Sequence, residues 1–128
     1  MSTIFTKIIE GEIPSYKLYE DDKTCVFLDL DQSERGHCLV VPKTEVDKLY
    51  DLPDDYYLAV MQTAKKMSEH LEKKLNTRIL WKVIGVDVPH AHIHLLPFSE
   101  DWSKMHSHDP VELSPEEMSA LRDQLKLD

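Results

Sequence analysis

An α+β fold with an antiparallel sheet is predicted by three features of this 128-residue chain. Five short apolar runs have strand character, one long central segment has helical periodicity, and the turns between neighbouring strands are too short for crossover helices. The strands are expected at Ser15–Glu20, Thr24–Leu30, Cys38–Pro42, Arg78–Val86 and His90–Leu96. The turns Glu20-Asp21-Asp22-Lys23 and Gly85-Val86-Asp87-Val88-Pro89 join two of the pairs. The long helix should run from about Pro53 to Leu75: proline suits a first helical turn, Asp54 and Asp55 complement the amino-terminal dipole, and Asn76 is a natural stop. Val60, Ala64, Met67, Leu71 and Leu75 form an apolar stripe, widened by Tyr57 and Met61, that should pack on the sheet. Lys65, Lys66, Lys73 and Lys74 read as the solvated face, and His70 as an exposed helix residue. Near the end, Ser114, Pro115 and Glu117 have the form of a capping box, with Leu113 as a staple to Met118. Met118, Leu121 and Leu125 give that short helix one apolar edge, to be docked on its own domain or on a second subunit.

The length is that of one domain. Fifteen basic residues against 24 acidic ones give a net charge of −9, which opposes attraction to a nucleic-acid backbone or an anionic membrane. Any bound phosphate therefore needs a local pocket of amides and imidazoles. No apolar run reaches the roughly 20 residues of a spanning helix, and MSTIFTKIIEGEIP lacks a signal-peptide pattern, so a soluble, cytoplasmic protein is expected. Cys25 and Cys38 lie in apolar strand-like runs outside any CxxC motif and are expected to be buried free thiols.

The chemistry concentrates in VPHAHIHLLPF, where His90, His92 and His94 alternate. On a strand these imidazoles would share one face at roughly 7 Å spacing, with Ala91, Ile93, Leu95 and Leu96 holding the opposite face in a core. Such a row can attack, exchange protons or bind metal, and mutual repulsion would keep at least one ring neutral near pH 7. A purely structural row is the bland alternative. His106 and His108 form a second alternating pair, best read as solvated.

HAHIHLL fits the His-x-His-x-His pattern of the histidine triad (HIT) superfamily, and other segments carry the resemblance further. IFTKIIEGEIPSYKLYEDD resembles the amino-terminal segment of its Hint and bacterial HIT branch. FLDLDQ resembles its ribose-binding strand, and RGHCLVVPK the strand with a fourth active-site histidine. The resemblance spans Ile4 to Pro97 and implies a HIT domain over 1–98, leaving 99–128 as an acidic extension with a helix near 115–126. It implies a five-stranded antiparallel sheet, one long helix, a short amino-terminal helix, and a homodimer across which the sheet extends. It also implies hydrolase or transferase chemistry at the α-phosphate of a purine nucleotide, through a nucleotidyl-histidine and without a cofactor. Carried over by position, His92 is the nucleophile, His94 and His37 contact the phosphoryl oxygens, and His90 orients the site. Asp29 accepts from the ribose hydroxyls, while Ile4, Phe5, Ile8, Phe27, Leu28 and Leu30 wall the base pocket.

Three departures stand out. Many family members bind structural zinc through a CxxC pair, a later histidine and the first triad histidine, whereas Thr3, Thr6 and Glu45 stand at those other positions here, so no metal is expected. Before the triad, asparagine, a glycine-rich loop and glutamine are replaced by Trp81-Lys82-Val83-Ile84-Gly85-Val86-Asp87, which leaves the leaving group open. Asp87 could protonate an amine only with a raised pKa. Finally, Pro97-Phe98 replaces a Gly-Gly pair, and Trp102 reads as simple packing, with approach to the partner subunit's site, as by a carboxy-terminal tryptophan in some relatives, as the alternative. Dinucleoside polyphosphate cleavage, a nucleotide-binding module with little or no catalysis, and a metal hydrolase are the competing readings.

Overall fold

Residues 2–98 and 111–127 are described by the computed structural model. The elements run α1 (Ile4–Ile9), β1 (Lys17–Glu20), β2 (Thr24–Leu28), β3 (Cys38–Pro42), a 3-10 turn at Leu49–Asp51, α2 (Asp54–Leu75), β4 (Ile79–Lys82), β5 (Ile93–Pro97) and α3 (Pro115–Leu125). Five strands form one antiparallel sheet in the order β1-β2-β3-β5-β4, as the α+β reading requires. Trp102, His106 and His108 lie outside the described residues.

Both faces of the sheet centre are covered, so every residue of β2 and β3 is buried. Strand alternation sends Val26, Leu28, Cys38, Val40, Ile93 and Leu95 to one face, against Val60, Ala64, Met67 and Leu71 of α2. Cys25, Phe27, Leu39 and Val41 go to the other, against Phe5 and Ile8 of α1. The two cysteines thus sit on opposite faces as buried free thiols. Burial raises Cys25 to about 11 and Cys38 further, so neither is a thiolate near neutral pH.

The helices follow their sequence signals. Pro53 is the N-cap of α2, and Asn76 closes it in the left-handed conformation at φ 55°. Tyr57 departs from the expected stripe and is exposed, while Thr63 takes a buried place and bonds the Thr24 hydroxyl at 2.8 Å. Ser114 and Glu117 form the capping box of α3, and Met118, Leu121 and Leu125 enter the α2-side core of the same chain. His70 is not the exposed residue expected: its Nε2 donates to the Leu125 carbonyl at 2.9 Å, tying α2 to the end of α3. No described helix is long and apolar enough to cross a membrane.

The largest correction concerns the histidine strand. β5 begins only at Ile93, so His90 and His92 lie in irregular backbone and His94 alone of the three is in the ladder. The cause is local. Pro89 has no N–H, the His90 N–H turns back to the Val88 carbonyl, and the Ala91 N–H is drawn to the Val46 carbonyl at 2.7 Å. β4 correspondingly stops at Lys82, opposite His94, instead of reaching Val86. β2 stops at Leu28 because the Asp29 N–H bonds the His37 carbonyl and its carboxylate accepts from the Asp31 N–H. Leu96 also differs from expectation, since alternation puts it beside His94 on the cleft face.

Gly36, just before His37, has φ +104°, and a Cβ there would lie 2.9 Å from Leu75 Cδ1 and 3.1 Å from Pro97 Cγ. Gly36→Ala should therefore destabilise the fold by about 1–3 kcal/mol, read as a lowered Tm in thermal denaturation.

Candidate active site

The ends of β2, β3 and β5 meet under α1 to form a cleft of about 380 Å³. His37, His92, His94, Asp29 and Asp87 line it, together with Ile4, Phe5 and Leu39. A larger open hollow of about 560 Å³ lies between the β1–β2 turn and α2, but none of its described lining residues is a histidine. The chemistry belongs to the smaller cleft.

Backbone carbonyls set the protonation of the two irregular histidines, because a carbonyl can only accept. His92 Nδ1 lies 2.7 Å from the His90 carbonyl, so Nδ1 carries the proton and Nε2 keeps a lone pair. His90 Nε2 lies 2.8 Å from the Pro42 carbonyl and must donate. Its Nδ1 then accepts from the Thr3 hydroxyl at 2.7 Å. His90 is fully buried, and burial holds its pKa below the ordinary histidine value, so it stays neutral. Phe5 packs edge-on against both rings, at 5.6 Å from His90 and 5.1 Å from His92.

On the other side, His94 and His37 form a pair, His94 Nδ1 to His37 Nε2 at 2.9 Å. The Ser33 N–H donates to His37 Nδ1 at 3.3 Å, which leaves the His37 proton on Nε2, shared toward His94 and the Asp29 carboxylate 3.6 Å away. The remaining nitrogen of neutral His94 is then an N–H donor. Burial, ahead of the neighbouring rings and Lys82, lowers His94 to about 3. Burial also lowers His37, against the opposing charge of Asp29. Mutual repulsion, the cause expected from sequence, is secondary to desolvation.

Several expected pocket residues stand elsewhere. Phe27 and Ile8 pack behind Phe5 in the α1-side core instead of lining the cleft. Leu28 points to the opposite face of the sheet, because it alternates with Phe27, and Leu30 is 74% exposed beyond the end of β2. Conversely, the sequence reading did not single out Gln32. This buried side chain donates to the Asp29 and His37 carbonyls and accepts from the Gly36 N–H at 2.8 Å, fixing the loop that carries both site residues. Its position between acidic residues and glycine gave no periodic signal. Lys82 also lines the cleft, opposite His94 in the ladder, a placement that depends on strand register.

Around His90, the Thr3 N–H donates to Glu45 at 2.8 Å, and the Thr3 and Thr6 hydroxyls are 3.3 Å apart. Hydrogen bonds from Thr6 and Thr3 lower the Glu45 pKa and keep it ionised. Two hydroxyls, one carboxylate and one histidine already bonded to one another do not fit the nitrogen and sulfur donor set of structural zinc. Among the described residues, Asp29, His37 and His94 are the one group whose ligand atoms converge enough to hold a metal, within 4.8 Å. A metal on His37 Nε2 would have to displace the proton held there by the Ser33 contact.

The family profile of the HIT domain matches residues 10–101. Adenosine 5'-monophosphoramidase HNT1 of Saccharomyces cerevisiae is 38% identical over 104 residues, 78% of this chain and 65% of that protein, so the chain spans just under two thirds of that relative. The Candida albicans protein of the same name is 34% identical over 98% of this chain and 90% of its own length. A Zn-bound histidine triad family protein from Mycobacterium smegmatis superposes with a TM-score of 0.81 at 25% identity, over 98% of this chain and 94% of that one. This chain belongs to the HIT family.

Two expectations follow. Replacing Thr3 by Val strands the buried His90 Nδ1 and removes the side-chain cap of α1, which should cost about 2 kcal/mol in denaturant unfolding, whereas Thr3→Ser should lose less than half of that. For pH, His94 and His37 bind protons more weakly when folded than the ordinary 6.5. The unfolded chain therefore takes up more protons below that value, and stability is complete above it and is lost as pH falls. Tm should drop from about pH 7 to about pH 5, and His94→Gln should flatten the drop.

Proposed function

We propose that this chain is a nucleotidyl hydrolase that opens purine nucleoside phosphoramidates or phosphate esters at the α-phosphate through a nucleotidyl-His92 intermediate. The observation that carries this reading is the His92 Nδ1 bond to the His90 carbonyl, which presents an unprotonated Nε2 in a cleft with the His94 donor that His37 holds in place. Nε2 attacks phosphorus, the P–N or P–O bond breaks, and its electron pair leaves with the departing group. Water then attacks the phosphorus of the adduct and the bond to Nε2 breaks, releasing the nucleoside monophosphate and a proton and returning the neutral imidazole; that proton balances the one a departing amine takes up from solvent. The His94 N–H, polarised by the His37 proton on its other nitrogen, stabilises the phosphoryl oxygens as charge moves onto them.

Asp29, 3.6 Å from His37, marks the ribose end, with Phe5, Ile4 and Leu39 as an apolar wall for the base. Such a wall stacks a purine well and reads its edge poorly. Relatives named adenosine 5'-monophosphoramidase, and the adenylylsulfatase HINT3 of Arabidopsis thaliana at 31% identity, support nucleotidyl transfer as the reaction class. A cytoplasmic homodimer, joined along the β4 edge where Trp81, Val83, Ile84 and Val86 are exposed, completes the proposal; sedimentation showing only monomers would remove the dimer.

The test uses a fluorogenic adenosine phosphoramidate. His92→Asn should lower turnover by about 10³-fold or more, and acid-labile adenylate should be trapped on the wild-type protein but not on the variant. Undiminished turnover by the variant would reject His92 as nucleophile.

A further inference from the structure

The charged groups of the cleft follow the order of the strands. Asp29 stands just past β2, His37 just before β3, His94 on β5 and Lys82 on β4, and the sheet runs β2-β3-β5-β4. Lys82 is the direct cross-strand partner of His94, so the two side chains rise from the same face as neighbours. Among the described lining residues the carboxylates are Asp29, Asp31 and Asp87, and Lys82 is the one permanent cation. Nothing else among the described lining residues offsets the overall charge of −9.

From this order we infer that Lys82 forms a leaving-group subsite for an anion, so that the preferred substrates are mixed anhydrides of a nucleoside monophosphate, whose departing group is a phosphate or a sulfate. The inference rests on the nucleotidyl-transfer reading only for the direction of the bound nucleotide. With ribose at Asp29 and phosphorus at His92 and His94, the group beyond phosphorus faces β4. When His92 Nε2 bonds to phosphorus and the P–O bond breaks, the electron pair stays on the departing oxygen as negative charge. An ammonium beside it stabilises that charge with no proton transfer, whereas an amine leaving group must gain a proton. Lys82 is exposed and carries its ammonium on a flexible four-carbon stem, and its charge already acts on the cleft by helping to keep His94 and His37 neutral. Asp87 brings the opposite charge to the same lining, but it is common to wild type and variants and cancels in a comparison of preferences.

Binding of non-cleavable ligands tests this separately from catalysis. Calorimetry would compare adenosine α,β-methylene diphosphate, with an anion beyond the α-phosphorus, and adenosine 5'-methylphosphonate, with an uncharged methyl group held there by a P–C bond. Wild type should prefer the diphosphate analogue. Lys82→Met should reduce that preference at least about fivefold, and Lys82→Arg should keep it. The preference should also shrink as salt is raised. Absence of a preference in wild type, an unchanged preference in Lys82→Met, or one lost equally in Lys82→Arg would overturn the inference. An inactive wild type or a fully active His92→Asn would instead remove the nucleophile assignment, and the binding ratio would still be readable.

Discussion

A single hydrogen bond, from His92 Nδ1 to the backbone carbonyl of His90, sets the chemical character of the cleft. It fixes which nitrogen of His92 is free, and it is held in turn by the two bonds of His90, to Thr3 and to the Pro42 carbonyl. His90 is thus a rigid, neutral bracket between α1 and β3, and all its polar atoms are matched. Thr3 is also the N-cap of α1, so the bond that orients His90 also places Phe5 over the histidine rings. Thr3, Thr6 and Glu45 gather the start of α1 and His90 through these hydrogen bonds.

Burial does the second part of the work. Removing water from His37 and His94 favours their neutral forms and makes each remaining N–H a directed donor in a medium of low dielectric. Neutral imidazoles do not attract an anion at long range, and the acidic surface repels one. Affinity for a phosphate then depends on short contacts inside the cleft, which makes the position of its one lysine among the described lining residues consequential. The sheet, buried on both faces at β2 and β3, supplies the stiffness that holds these contacts in register.

Much of this was legible along the chain. The stripe of α2, the capping box of α3, the buried thiols and the five strands each rest on local periodicity or local hydrogen bonding, which neighbouring residues decide among themselves. His90, His92 and His94 stood out by residue type and alternate spacing, whereas His37 and Asp29 were singled out only through resemblance to the family. Ile8, Phe27, Leu28 and Leu30 were not correctly placed, since apolarity does not say which side of a sheet a residue covers or whether anything packs above it.

Tertiary structure decided the rest. Alternate spacing suggested a flat row of three histidines on one strand, but the Ala91 N–H found its acceptor on Val46, far away in sequence, and the row broke before β5 began. The free nitrogen of His92, the pairing of His37 with His94 and the seat of Lys82 beside them all depend on partners from other elements. The sequence by itself determined which groups are present and how each segment curls. Only the packing of distant segments determined which lone pairs and protons face the cleft, because hydrogen-bond partners and burial are properties of the assembled chain.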